Sequence, residues 1–416
     1  THQQRLGPVD HDDGASDLLI GQGIGALRFH ISNGDRTFAS AQSRTACGSS
    51  IGEDLDVADV NGDGQPDVLG TDGSNGGLGL WFGDPGGDLE NPECLNAGGQ
   101  LEAVALGDLN GDGRPDPVGL NGDRRGWVAH LTTGRSDLAS LNAIDTGANQ
   151  LPGFLALSDM DGDGTDDLVS VNAPLVNSNP GTTSVIPGDP NGGFAVTMDH
   201  YEIADDPRGI ALADMDGNGA LDVVTGNHTV GSNDFAVRSN DGTGNLGNAT
   251  GPGSGMGTDS GRVTDVVVGH FDGDNEPDIA LGNGGGTGTN DDQKVFVALG
   301  KDDGSSPYTI TSNTVGPAPE QLDAGDMDGD GFPDLMVASG TRVHWMENNG
   351  SGSFSSSDTT TINGDTADLV ITDFNDDGDL DVVTLSGAAT NTNNGYVDLL
   401  YGNGDGTFTR ASSLDV

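Results

Sequence analysis

The chain is poor in positive charge. Lys+Arg total 15 against 66 Asp+Glu, the only lysines are Lys294 and Lys301, and the formal net charge is −51 over 416 residues. A surface of that sign repels polyanions, which excludes nucleic acid and an anionic membrane surface as default partners. It is best tolerated in a salty medium, where screening is strong. No apolar run approaches the length of a membrane-spanning helix, so no span is expected. No segment carries apolar residues at helical spacing over a useful length, which excludes a helix-built core. A secretory signal is also missing, and Thr1 reads as a processed N-terminus. Gly-x-Ser-x-Gly, HExxH and phosphate-loop motifs are absent, and no enzymatic site is expected.

What is abundant is glycine, 71 residues, and aspartate set in a recurring nonapeptide, D-x-[DN]-x-[DN]-G-x-x-D. The second repeat carries Asp59, Asn61, Asp63 and Asp67, with Gln65 at position 7. The third has Asp108, Asn110, Asp112 and Asp116 with Arg114, and the fourth Asp159, Asp161, Asp163 and Asp167 with Thr165. The fifth has Asp214, Asp216, Asn218 and Asp222 with Ala220. The seventh has Asp326, Asp328, Asp330 and Asp334 with Phe332, and the eighth Asp373, Asn375, Asp377 and Asp381 with Asp379. A variant sixth copy opens on His270, continues through Asp272, Asp274, Glu276 and Asp278, and puts Asn275 in place of the glycine. A worn first copy with one extra residue holds Asp10, Asp12 and Asp17. First positions step by 49, 51, 55, 56, 56 and 47 residues, a regularity that marks a propeller, solenoid or array.

The chemistry of this frame is that of a hard cation. Side-chain oxygens at positions 1, 3 and 5 converge when the chain turns tightly, and Gly at position 6 permits a left-handed turn there. Asn275 is the next most tolerant residue for such a turn. A backbone carbonyl at position 7 and a carboxylate at position 9 complete an all-oxygen shell, which suits Ca²⁺ better than zinc or magnesium. About six to eight ions are expected; an Asx-rich turn without metal is the alternative. An EF-hand is excluded, because its position 12 needs Glu, and here position 12 is Gly70, Gly119, Ser170, Thr225, Leu281, Val337 or Thr384.

Around each loop the pattern has a period of two. A short apolar strand precedes it (residues 55–58, 104–107, 155–158, 210–213, 266–269 and 369–372), a second follows it, and a third ends in a Gly-rich turn and an apolar anchor. The expected fold is all-β: one domain over residues 1–416, a β-propeller of four-stranded antiparallel blades, eight preferred and seven the alternative. The first repeat is expected to draw its first strand from residues 4–7. His30, His130 and His344 and the three tryptophans Trp81, Trp127 and Trp345 fall on third strands and read as packing residues. Cys47 and Cys94 occupy nearly matching places in consecutive repeats; a disulfide and two buried thiols both remain open. Asn227, Asn248 and Asn349 fit the N-glycosylation pattern.

With its repeated loop and strand pattern, the chain resembles the FG-GAP/VCBS repeat family, known from integrin α-subunit heads, bacterial surface proteins and some lectins. The resemblance implies a calcium-loop propeller with structural loops between the first two strands of each blade. His270 and the worn first copy depart from the pattern. The expected function is an extracellular binding or adhesion module for a glycan or protein, with the ligand on the face carrying the long connections (residues 172–183, 227–234, 248–262, 282–293 and 387–395). A self-assembling surface-layer or filament subunit, binding copies of itself, is the alternative, and a polysaccharide lyase a more distant one.

Overall fold

The computed structural model describes residues 6–10, 16–22, 26–30, 42–48, 51–72, 77–85, 88–96, 101–121, 126–132, 138–140, 144–145, 150–174, 180–190, 194, 199–203, 207–227, 235–251, 263–284, 293–301, 308–316, 319–387, 395–411 and 413–415. All regular structure among them is β. Eight antiparallel sheets follow one another along the chain, six of them with all their strands in sequence order. The first is built of Leu6–Asp10, Ser16–Gln22, Ala26–His30 and Gln42–Thr45. The first strands of the other seven are Ile51–Ala58, Leu101–Gly107, Gln150–Ser158, Pro207–Ala213, Val263–Gly269, Pro319–Gly325 and Asp365–Thr372.

The expectation of four-stranded antiparallel blades, eight preferred and seven the alternative, holds in part. Five sheets have four strands, the fifth has three, and the third and eighth have five. In the fifth sheet the edge beside Phe235–Arg238 is met only by an isolated bridge, Val237 to Thr250. In the eighth, Leu414–Asp415 returns to pair beside Phe408–Arg410 on the same third strand. The first strand of the first sheet also differs from expectation. It is Leu6–Asp10, pairing Asp10 with Ser16 and Val9 with Asp17.

The sheets group into two compact units, one built mainly from the first four and the other mainly from the last four. Within the units, consecutive first strands lie side by side, as Ile51–Ala58 does with Leu101–Gly107, and Val263–Gly269 with Pro319–Gly325. Second strands are buried along their length, for example Asp67–Asp72, Asp222–Asn227 and Asp334–Ser339. They are covered on both faces and so read as near-continuous apolar runs rather than alternating ones. Six apolar clusters among the described residues each join a sheet to the next. In one, Phe271 meets Phe354 edge to face at 5.5 Å; in another, Trp345 lies with Met327, Met336 and Leu369. Burial of such large side chains is the main stabilising term, of order 2 kcal/mol for each.

Cys47 and Cys94 form a disulfide with their Cα atoms 5.5 Å apart, tying the first repeat to the second. Trp81 is buried and donates its indole N–H to the Thr45 carbonyl at 3.2 Å. His30 and His344 are buried too, and burial holds both imidazoles below their usual pKa, with Arg28 and Arg342 adding to the effect. The side chains of Trp127 and His130 lie outside the described set. Asn227 has no exposed surface, which closes it to glycosylation.

Candidate metal centres in the repeat loops

Each complete nonapeptide joins the first and second strands of a sheet and folds by hydrogen bonds to its own carboxylates. In the seventh repeat, Asp326 Oδ1 accepts from the Gly329 and Asp330 amides at 2.8 and 3.1 Å, and its Oδ2 from Gly331 at 3.0 Å. Asp328 accepts from Asp330 at 3.1 Å, and Asp330 from Phe332 at 2.9 Å. The loops at Asp59, Asp108, Asp159 and Asp214 repeat the position 1 pattern, each accepting the position 6 amide at 2.7–3.0 Å. This requires a left-handed turn. Position 6 has φ of +87° at Gly64, +82° at Gly113, +90° at Gly164, +89° at Gly219, +93° at Gly331 and +92° at Gly378. A side chain there would be strained, which is why the frame demands glycine.

Position 9 is different in kind. Asp67, Asp116, Asp167, Asp222, Asp278, Asp334 and Asp381 have no exposed surface. Asp334 shows why. Its Oδ2 accepts from Met327 at 3.2 Å and the Trp345 indole at 3.0 Å, and its Oδ1 from Asn348 at 2.7 Å. The same brace links position 2 to the end of the third strand elsewhere, through Val60 and Gly83 for Asp67, and Met160 and Gly188 for Asp167. It does so again through Met215 and Asn240 for Asp222, and Phe271 and Gly300 for Asp278. Burial pushes the carboxyls of Asp67, Asp167, Asp222, Asp278 and Asp334 up to about 6, against the lowering effect of those donors. A nearby divalent cation would favour the ionised form instead.

Three loops bring carboxylate oxygens within 4.8 Å of one another: Asp159, Asp161 and Asp167; Asp214, Asp216 and Asp222; Asp326, Asp328 and Asp334. Two oxygens sharing a calcium ion 2.3–2.6 Å away are separated by at most about 5 Å, so these sets fit one hard cation. Position 7 offers its backbone carbonyl, while its side chain lies elsewhere. Arg114, Thr165 and Phe332 reach over the position 4 glycine of the preceding loop, at Gly62, Gly111 and Gly273. The position 7 side chains vary because they pack outside their own loop rather than line it.

In the worn first copy, Asp10 and Asp17 stand in paired strands, and Asp12 lies outside the described residues. The long connections expected to carry a ligand also fall largely outside them. A cavity of about 450 Å³ lies between the fifth and sixth loops, lined by Leu212, Val268, Pro277, Asp214, His270 and Glu276 among others.

A second set of aspartates was not anticipated. On the first strands, Asp54 accepts from its neighbour Leu55 and, at 2.9 Å, from Val104 of the next sheet. Asp56 spans to Leu106 at 2.8 Å, Asp265 to Leu322 at 2.9 Å, and Asp323 to Ile371 at 2.9 Å. Burial pushes the Asp265 carboxyl up to about 7, with Asp368 and Asp323 adding to the shift and the Leu322 and Val266 amides opposing it. The signal in the sequence is a lone Asp three or five places before position 1, inside an otherwise apolar strand.

Among solved structures, a lectin from Agrocybe aegerita studied for specific recognition of non-reducing terminal N-acetylglucosamine is 20% identical, with 84% of this chain and 89% of that one covered and a TM-score of 0.54. A protein from Lactobacillus plantarum is 12% identical over 83% of this chain and 96% of its own, with a TM-score of 0.52. At these identities the likeness shows the fold, an all-β propeller with antiparallel blades, and nothing of the activity. No curated protein matches the chain. The FG-GAP-like repeat model matches residues 12–70, 59–118, 159–225, 270–337 and 326–384, together more than half of the sequence. The chain therefore belongs to the FG-GAP-like repeat family.

Proposed function

We propose that the protein is an extracellular β-propeller braced by calcium, which binds a ligand without transforming it, and that the ligand is a neutral glycan. The observation that carries the calcium part is the pairing of a turn rich in carboxylates with a fully buried aspartate at position 9 in every complete loop. Side-chain oxygens at positions 1, 3, 5 and 9, with the position 7 carbonyl, would hold the ion. It would contribute charge neutralisation to loops whose acids otherwise repel one another. Millimolar calcium outside cells suits many such sites, and the Cys47–Cys94 disulfide suits an oxidising compartment.

The binding part rests on fold likeness to a lectin and on the cavity between the fifth and sixth loops, whose mixed apolar and polar lining suits a sugar ring. With a net charge of −51, acidic sugars are disfavoured by the field of the whole protein. A glycan array probed in calcium and again in EDTA tests the reading. Retention of neutral glycans, lost on chelation, supports it. Retention of acidic glycans alone, or turnover of any glycan to an unsaturated product, would overturn it. The calcium part has its own test: excess EDTA should lower Tm by many degrees, because a ligand of the native state stabilises by mass action. An unchanged Tm in calorimetry would sink it.

A further inference from the structure

The sixth loop, residues 270–278, departs from its siblings in two ways that bear on the same point. His270 stands where the others have Asp, and its Nδ1 lies 3.1 Å from the Glu276 carbonyl oxygen. A carbonyl only accepts, so the shared proton sits on Nδ1 and the imidazole is the donor. Glu276 is position 7, whose carbonyl is the backbone ligand in the complete frame. In this loop it faces an N–H. The second departure is in the backbone. Complete loops have positive φ at both positions 4 and 6; here Gly273 has φ of +76°, but Asn275 does not adopt the left-handed turn. Without that turn, and without a position 1 carboxylate to accept the position 6 amide, the chain does not wrap as it does at residues 326–334.

The rest of the loop keeps its form. Asp272 accepts from Asp274 at 3.1 Å, Asp274 from Glu276 at 2.8 Å, and the buried Asp278 from Phe271 and Gly300, both at 2.7 Å. The outer ends of the loop, position 1 and position 7, are thus drawn together by one hydrogen bond where a shared cation does so elsewhere. We propose that this repeat works without a cation: His270 is a positioning residue whose imidazole N–H closes the loop. The proposal rests on the calcium reading of the complete loops. It also gives the cavity beside His270 one wall whose shape is independent of calcium.

Hydrogen exchange on the intact protein, in calcium and in EDTA, tests this directly. Amides of residues 326–334 should exchange roughly tenfold faster after chelation, as a bound ligand suppresses local opening, while those of 270–278 should be indifferent. Equal acceleration in both segments would overturn the proposal and leave the calcium reading standing. No acceleration in either, with no calcium bound, would overturn both. A second measurement counts ions. The double substitution His270→Asp with Asn275→Gly restores the frame and should raise calcium stoichiometry by one equivalent over the unchanged protein. An unchanged count with unchanged fold would contradict the assignment. His270→Ala should speed exchange at 271–277 equally with and without calcium, which a loss of metal ligation would not do.

Discussion

Aspartates of the rim loops and aspartates of the first strands do opposite jobs with the same side chain. Asp326, Asp328 and Asp330 bond to amides within their own loop, a few residues away. Asp54, Asp265 and Asp323 reach into the next sheet, bonding to amides 48–57 residues on. The first set makes an exposed turn; the second joins separate sheets from buried or half-buried positions. Position 9 is between them, local in sequence yet fully buried. The comparison teaches that the excess of acid is not one property. Part of it lies in solvated loops, and part is a set of acceptors for backbone amides of the next sheet.

The sharpest test sets Asp334→Ala against Asp326→Ala, both in EDTA. The first strands three donors at a buried site, each costing about 1–3 kcal/mol, and should destabilise by roughly 4 kcal/mol. The second exposes loop amides to water and should cost less than about 1 kcal/mol. Urea midpoints read both; similar losses would dissolve the distinction. Next in size is Asp54→Ala, which leaves the Val104 amide without its acceptor and should cost about 2 kcal/mol whether or not calcium is present. If calcium restored its stability, the clasp would belong with the rim.

The last effect is in pH. Asp265 is pushed up to about 7 when folded, above the usual unfolded value near 4, so the folded state holds the proton more tightly. Its contribution is therefore fully present below pH ~4 and is lost as pH rises through about 7. In EDTA, acidifying from pH 8 towards 5 should raise stability, and Asp265→Asn should flatten that slope. A slope of the other sign would mean the carboxylate is better solvated than its setting implies.

Much of this was legible in the sequence. Six loops and their glycine at position 6 follow from the frame, because a nine-residue turn is local chemistry; the frame gives a carboxylate at position 9 but not its burial. Strand order followed from period and spacing. The clasps were not legible, since Asp54 and Asp265 look like polar interruptions until the next sheet supplies an amide. Nor was the behaviour of Asn275: its tolerance of a left-handed turn is real, but tolerance does not create one when no position 1 carboxylate draws the amide in.

The clasps also have a direction. Asp54 and Asp56 point from the second sheet to the third, Asp265 from the sixth to the seventh, and Asp323 from the seventh to the eighth, always from the earlier unit to the later. A repeat with this arrangement carries a plug on one side and a socket on the other. Copying such a segment within a gene adds a plug and a socket together, so a duplicated repeat enters the series without new complementary surface having to evolve. The same head-to-tail logic lets one copy, such as the sixth, lose its cation frame while its plug at Asp265 still fits the next socket.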